Sequence, residues 1–171
     1  MRTRRLLAAI AALVVSCGLA ISPAHALFFP AVRVLRVGDG DSFTAITPDH
    51  QRIRVRIAAI DAPESDQAYG AQAAAHLARM LQDAEPELDC PGRDRYRRLV
   101  CAVRVDGRDI GLVQVGAGAA WWYREYRHEQ TPQAQRQYAA AQAQAQSRRL
   151  GLWAQPALEP GQWRARQREG R

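Results

Sequence analysis

Lysine is absent from this chain of 171 residues, so all 24 positions of its Lys+Arg count are arginine. Every fixed side-chain cation is therefore a guanidinium, a planar donor suited to two-point phosphate binding. Codon bias in a GC-rich genome leads to the same composition. Cysteine is scarce, at 3 residues, and no histidine pair lies near Cys90 and Cys101 to complete a four-ligand zinc site. There is no internal repeat and no sign of a second domain. After Leu6–Ile21 no apolar run approaches the about 20 residues that a membrane span needs.

That one apolar run follows Arg2, Arg4 and Arg5 and ends at Pro23 and Ala24-His25-Ala26. A basic start, an apolar middle and a small-x-small end are the marks of a secretory signal peptide, with cleavage after Ala26. Val14-Val15-Ser16-Cys17 offers a different processing site, because it resembles a bacterial lipoprotein box with Cys17 as the lipidated residue. Cleavage after Ala26 would remove three arginines and take the formal net charge from +7 to +4, which still favours anionic partners. The remainder has the size of one ordinary domain. Its expected limits are 27–158, followed by a loosely held basic tail over 159–171. Cys90 and Cys101 flank a turn on strand-like segments, at a spacing that suits either a disulfide or two buried thiols.

The centre of the chain reads as antiparallel β. Val32 to Val37 is β-rich and ends at Gly38-Asp39-Gly40, and Phe43 to Thr47 continues as a strand up to Pro48-Asp49-His50. Gln51 to Ile57 alternates polar and apolar residues, which puts Arg52, Arg54 and Arg56 on one face. Arg52 and Arg54 are expected in solvent. Gly70 to Gln82 has the pattern of an amphipathic helix with His76 alone on it, and Leu99 to Val105 reads as another strand. Asp109 is placed to cap a short helix through Val115, and a long Ala/Gln/Arg helix spans 133–150. The expected class is α+β: a small barrel of five strands with about three helices.

Two acidic clusters carry the chemistry. Gly38-Asp39-Gly40-Asp41-Ser42 and Asp61-Ala62-Pro63-Glu64 sit at strand ends, with Arg56 just before the second. Carboxylates from two turns, joined by backbone carbonyls, suit a hard cation such as Ca²⁺. A third carboxylate beside such a site can orient or deprotonate water, and nearby arginines would neutralise charge on a pentacoordinate phosphate. The sum is metal-assisted phosphodiester hydrolysis. Each cluster alone is also an ordinary turn sequence. The combination with Arg56 and with Asp94-Arg95-Tyr96-Arg97-Arg98 is what makes a site.

These segments, together with Tyr69-Gly70 and Gly151-Leu152-Trp153, resemble the staphylococcal nuclease family over roughly Val32 to Arg164. The resemblance implies an OB-fold-type barrel and a secreted or periplasmic, calcium-dependent nuclease. Such an enzyme acts on DNA and RNA with little sequence preference, as a monomer with no obligate protein partner. It further implies that Asp41, Asp61 and the backbone carbonyl of Ala62 bind calcium, and that Glu64 serves as general base. Arg56 and Arg98 would bind phosphate, while Tyr96, Trp122 and Tyr123 would lie beside the nucleotide. Ser42 replaces a threonine of the family pattern. Arg97 replaces a glycine, which strains the turn if that position requires φ > 0. The alternative from another class is a barrel that binds nucleic acid without cutting it. A pure binder, however, gains nothing from three carboxylates facing a polyanion.

Overall fold

Local alternation builds the centre of the sheet. In the computed structural model, which describes residues 26–170, the first strands are β1 (Leu27–Phe29), β2 (Arg33–Asp39), β3 (Ser42–Ile46) and β4 (Arg52–Ile57). Residues 1–25, including Cys17 and nearly all of the expected leader, lie outside the described residues. β2, β3 and β4 form the antiparallel meander, with Asp39 opposite Ser42 across a Gly40-Asp41 hairpin turn. β4 buries Ile53, Val55 and Ile57 while Arg52 and Arg54 stay exposed, as the period-two pattern requires.

The chain continues through β5 (Ile60–Asp61), α1 (Gly70–Leu81), β6 (Glu87–Arg93), β7 (Leu99–Val105) and β8 (Arg108–Asp109). It ends through α2 (Ile110–Gly116), β9 (Trp121–Trp122), α3 (Pro132–Ser147) and α4 (Pro160–Glu169), with 3₁₀ turns at Arg124–Glu129 and Gly151–Ala154. The α+β class is observed, with nine strands and four α-helices among the described residues where five strands and about three helices were expected, and without a closed barrel. A 7-stranded sheet runs β1-β6-β7-β4-β3-β2 with β8 on β7, while β5 and β9 pair separately. Among the described residues no pairing joins β1 to β2, so the sheet is open. The additional strands are two or three residues long, too short to carry an alternation in the sequence. The β4–β7 pairing is parallel, with Val55 opposite Leu99 and Ile57 opposite Cys101, and this too has no local signature.

Helix α1 packs on β2, and its Leu77 and Leu81 are almost wholly buried in the core. Burial of a leucine side chain contributes about 2 kcal/mol. Asp109 caps α2 by accepting the Leu112 N–H at 3.1 Å, and Tyr138 of α3 donates its hydroxyl to the same carboxylate at 2.9 Å. Cys90 and Cys101 are joined as a disulfide across β6 and β7.

The segment after Glu159 is a helix rather than a loose tail. Pro160 is buried at its first turn, Gln67 Nε2 donates to the Leu158 carbonyl at 2.6 Å, and Trp163 Nε1 donates to Asp66 Oδ1 at 3.3 Å. These contacts tie α4 to the loop that carries Glu64. Among the described residues no helix is long and apolar enough to cross a membrane.

Candidate active site

Asp41 and Asp61 are buried, at 4% and 6% exposure, and the backbone brings them together. Asp41 Oδ2 accepts the Ala62 N–H at 2.8 Å, and the Asp41 carbonyl accepts the Ile57 N–H at 2.8 Å. This approach needs a residue without a side chain at position 40. A Cβ on Gly40 would lie 2.7 Å from the Cβ atoms of both Ala62 and Ala73. Asp39 braces the turn by accepting the Asp41 N–H at 3.1 Å. Asp61 is held from the other side by β5–β9 pairing, which sets it opposite Trp121.

Arg56 reaches both carboxylates from β4. Its Nη2 donates to Asp61 Oδ1 at 2.9 Å and to the Ile60 carbonyl at 3.0 Å. Its Nη1 lies 2.6 Å from Asp41 Oδ2, but off-axis, and this buried nitrogen has no hydrogen-bond acceptor. Burial is the strongest influence on Asp41. Arg56 opposes it, Asp39 and Asp61 reinforce it, and the carboxyl is pushed up from 3.8 to about 7.

Glu64 sits half-buried on the following loop, where its N–H donates to Gln67 Oε1 at 3.2 Å. Its carbonyl passes so close to α1 that a Cβ on Gly70 would lie 1.9 Å from it. From α4, Arg164 Nη1 donates to Glu64 Oε1 at 2.6 Å, and Nη2 donates to Asp61 Oδ2 at 3.1 Å.

Arg98 belongs to a separate turn organised by Asp94. Asp94 Oδ1 accepts the N–H groups of Tyr96 and Arg98, both at 2.9 Å. Its Oδ2 accepts Arg98 Nε at 2.7 Å. Burial works to raise the Asp94 carboxyl, but the hydrogen bonds and charge of Arg98 outweigh it and hold the group below its ordinary value. Arg54 is exposed as expected, yet it is not free: its Nη2 donates to the Tyr96 carbonyl at 2.6 Å. Arg97 adopts φ 63°, the left-handed region that disfavours a residue with a side chain. Arg97→Gly removes about 1–2 kcal/mol of that strain and adds about 0.5–1 kcal/mol of chain entropy on unfolding. A net gain of about 0.5–1 kcal/mol is expected in denaturant titration, and a loss of stability would refute the strain.

The aromatic residues divide. Tyr96 is 55% exposed, flanked by Arg95 and Arg98 at 4.9 and 5.5 Å from its ring. Trp122 is half-buried, donates Nε1 to Gln130 at 2.8 Å, and has Arg124 over its ring at 5.3 Å. Tyr123 donates its hydroxyl to Glu125 at 3.0 Å, and burial followed by the Glu125 carboxylate pushes it up to about 12.

Residues 54–155 match the family described as staphylococcal nuclease homologue. The chain belongs to this family. It is 36% identical over 137 residues to a protein of Haemophilus influenzae named "Uncharacterized endonuclease", spanning 80% of this chain and 74% of that protein. It is 36% identical over 141 residues to a Shigella flexneri protein named "Micrococcal nuclease", spanning 77% and 78% of the two chains. A third relative, protein ParB of Escherichia coli, is 35% identical over 141 residues.

Set beside the staphylococcal nuclease pattern, the structure brings Asp41, Asp61, Ala62, Glu64 and Arg56 into one cluster. Arg98 is engaged by Asp94 and not by those carboxylates. Among the described residues no three acidic, histidine or cysteine side chains converge as a finished metal-holding group. The donor set nonetheless fits calcium. It is all oxygen, the ligand type that calcium takes.

Sequence reasoning missed two parts of this nuclease-family site. Gln114 of α2 is fully buried and donates Nε2 to the Gly40 carbonyl at 2.5 Å, with His76 Nδ1 meeting its other end. A glutamine in an apolar helix stretch was the signal for it. Arg164 was the other, and Trp163 beside it, a large aromatic in a polar tail, marked the segment as anchored.

Proposed function

We propose that this staphylococcal nuclease homologue is a calcium-dependent nuclease that hydrolyses phosphodiester bonds of DNA and RNA with little sequence preference. The observation that carries the reading is one linked cluster, in which Arg56 bridges the buried Asp41 and Asp61 while Arg164 bridges Asp61 and the half-buried Glu64. The relatives named for endonuclease and micrococcal nuclease activity support it.

Asp41, Asp61 and the carbonyl of Ala62 would hold calcium, which when bound supplies positive charge to a phosphate oxygen. Glu64 accepts a proton from the attacking water. Arg56 donates to the phosphate oxygens as their charge grows, and Arg98 serves the leaving oxygen when its turn closes on the substrate. Tyr96 offers an exposed face for a base, and Trp122 and Tyr123 line the approach. The protein acts as a monomer, secreted or periplasmic. The Cys90–Cys101 disulfide supports an oxidising compartment. Lipid attachment at Cys17 is the alternative address, and the mass of the mature N-terminus separates the two.

The test is cleavage of single-stranded DNA with Ca²⁺, with chelator, and with Ca²⁺ restored. Cleavage is expected to vanish with chelator and to return. Hydrolysis that survives chelation would sink the calcium mechanism. Binding without hydrolysis under any divalent ion would establish a nucleic-acid-binding protein instead.

A further inference from the structure

Helix α4 lies beyond the segment that matches the staphylococcal nuclease family, which ends at residue 155. It is nevertheless built into the active-site corner. Gln67 links the two regions: its Oε1 accepts the Glu64 N–H at 3.2 Å, and its Nε2 reaches the Leu158 carbonyl at 2.6 Å. With Trp163 on Asp66 at 3.3 Å, the helix cannot shift without moving the Glu64 loop.

Arg164 is the residue this anchoring delivers. Arg56 and Arg164 bracket the Asp61 carboxylate, one on Oδ1 at 2.9 Å and the other on Oδ2 at 3.1 Å. The two guanidiniums differ in access, since the side chain of Arg56 is 13% exposed and that of Arg164 is 39% exposed. A guanidinium has five N–H donors. Two of those on Arg164 go to Glu64 and Asp61, no acceptor among the described residues takes the others, and the side chain is open to solvent. Arg168 stands one turn further along the same helix face and is exposed, about 6 Å from Arg164 along the axis.

The charge balance gives this arrangement a direction. With all three carboxylates ionised, as cation binding requires, Asp41, Asp61 and Glu64 against Arg56 and Arg164 leave the corner with one net negative charge, so a divalent cation makes it positive. One phosphodiester then makes it neutral. Without Arg164 the cation alone would neutralise the corner, and no net charge there would help to draw in the phosphate.

We propose that α4 is part of the nucleic-acid surface, with Arg164 as a third phosphate-binding guanidinium and Arg168 contacting a neighbouring phosphate of the same strand. The inference rests on nucleic acid being the substrate, as proposed above, but not on hydrolysis occurring.

The experiment is fluorescence anisotropy of a labelled, hydrolysis-resistant phosphorothioate single strand with the full mature chain at saturating Ca²⁺, across a salt series. For single strands each lost phosphate contact reduces the slope of log affinity against log salt by about 0.7. Arg164→Gln and Arg168→Gln are each expected to reduce it by about that amount. Arg166→Gln, on the far side of the helix, is expected to leave it unchanged. Arg168 is exposed and its side chain makes no hydrogen bond or ion pair among the described residues, so it tests the surface even if Arg164→Gln unfolds. Unchanged slopes in Arg164→Gln and Arg168→Gln would overturn the proposal. So would an Arg164→Gln protein that binds DNA more tightly, or one that cleaves faster at limiting Ca²⁺ with its slope intact, because Arg164 would then merely compete for the carboxylates. Reduced slopes in a protein that never hydrolyses DNA would uphold this inference while sinking the nuclease reading.

Discussion

Glu64→Gln is expected to lower the rate of single-stranded DNA cleavage at saturating Ca²⁺ by about 10²- to 10⁴-fold, the usual contribution of a positioned general base. The loop that carries this residue is fixed by main-chain contacts that the substitution leaves alone. The Glu64 N–H still meets Gln67 Oε1 at 3.2 Å, and its carbonyl still lies against Gly70. Glutamine has the same shape and retains an oxygen for Arg164 Nη1, which now lies 2.6 Å from Glu64 Oε1. What it loses is the negative charge and the capacity to take a proton. The thermal midpoint should therefore stay near that of the parent while single-turnover cleavage collapses. Cleavage equal to the parent's would remove Glu64 from the role of base and leave water activation to another group.

The second large effect falls on stability. Arg56→Met should destabilise the chain by about 3–5 kcal/mol, the range for breaking a buried ion pair from one side. Arg56 serves two buried carboxylates at once, at 2.6 Å from Asp41 and 2.9 Å from Asp61, and methionine offers neither a charge. The sign of the pH dependence follows from Asp41. Burial first, with Asp39 and Asp61 adding to it against Arg56, raises this carboxyl from 3.8 to about 7. Folding therefore favours its protonated form. That contribution is fully present below about pH 4 and is lost as pH rises through 7. Removing Arg56 takes away the main influence that lowers the value, so the deficit of Arg56→Met should widen between pH 5 and 8. Adding Asp41→Asn to the variant removes the stranded charge and should recover part of the stability without recovering cleavage. Urea titrations at the two pH values read all of this. A deficit under about 1 kcal/mol, independent of pH, would show that the contacts are no stronger than surface ion pairs.

Some features were legible because their causes are local. The Gln51–Ile57 alternation specifies which face of β4 is buried, since side chains alternate at every residue of a strand. Asp109 could be read as a helix cap because capping involves only the next few N–H groups. The strain at Arg97 was foreseen only as a condition, from the glycine that the family pattern has there, and Arg97 does adopt φ 63°. Other features have no local cause. β5 and β9 are two residues each and exist only because Asp61 meets Trp121 across sixty positions of chain. The Cys90–Cys101 pairing depended on the register between β6 and β7. Arg54 looked like a solvated residue because the Tyr96 carbonyl that it holds comes from a distant turn.

By itself the sequence determined the residue inventory of the proposed site: two acidic turns, an arginine at the end of an alternating strand, and an arginine-rich turn. Residue type and short-range spacing carry that information. Tertiary structure decided which of these groups meet. The absence of a side chain at Gly40 lets the acidic turns close on each other, so that Asp41 Oδ2 reaches the Ala62 N–H at 2.8 Å. The same packing leaves Arg98 with Asp94 and admits Arg164 from a segment that composition alone described as a tail. Charge partners are chosen by distance in space, and in this chain the arginine that completes the acidic corner lies a hundred positions after the glutamate it binds.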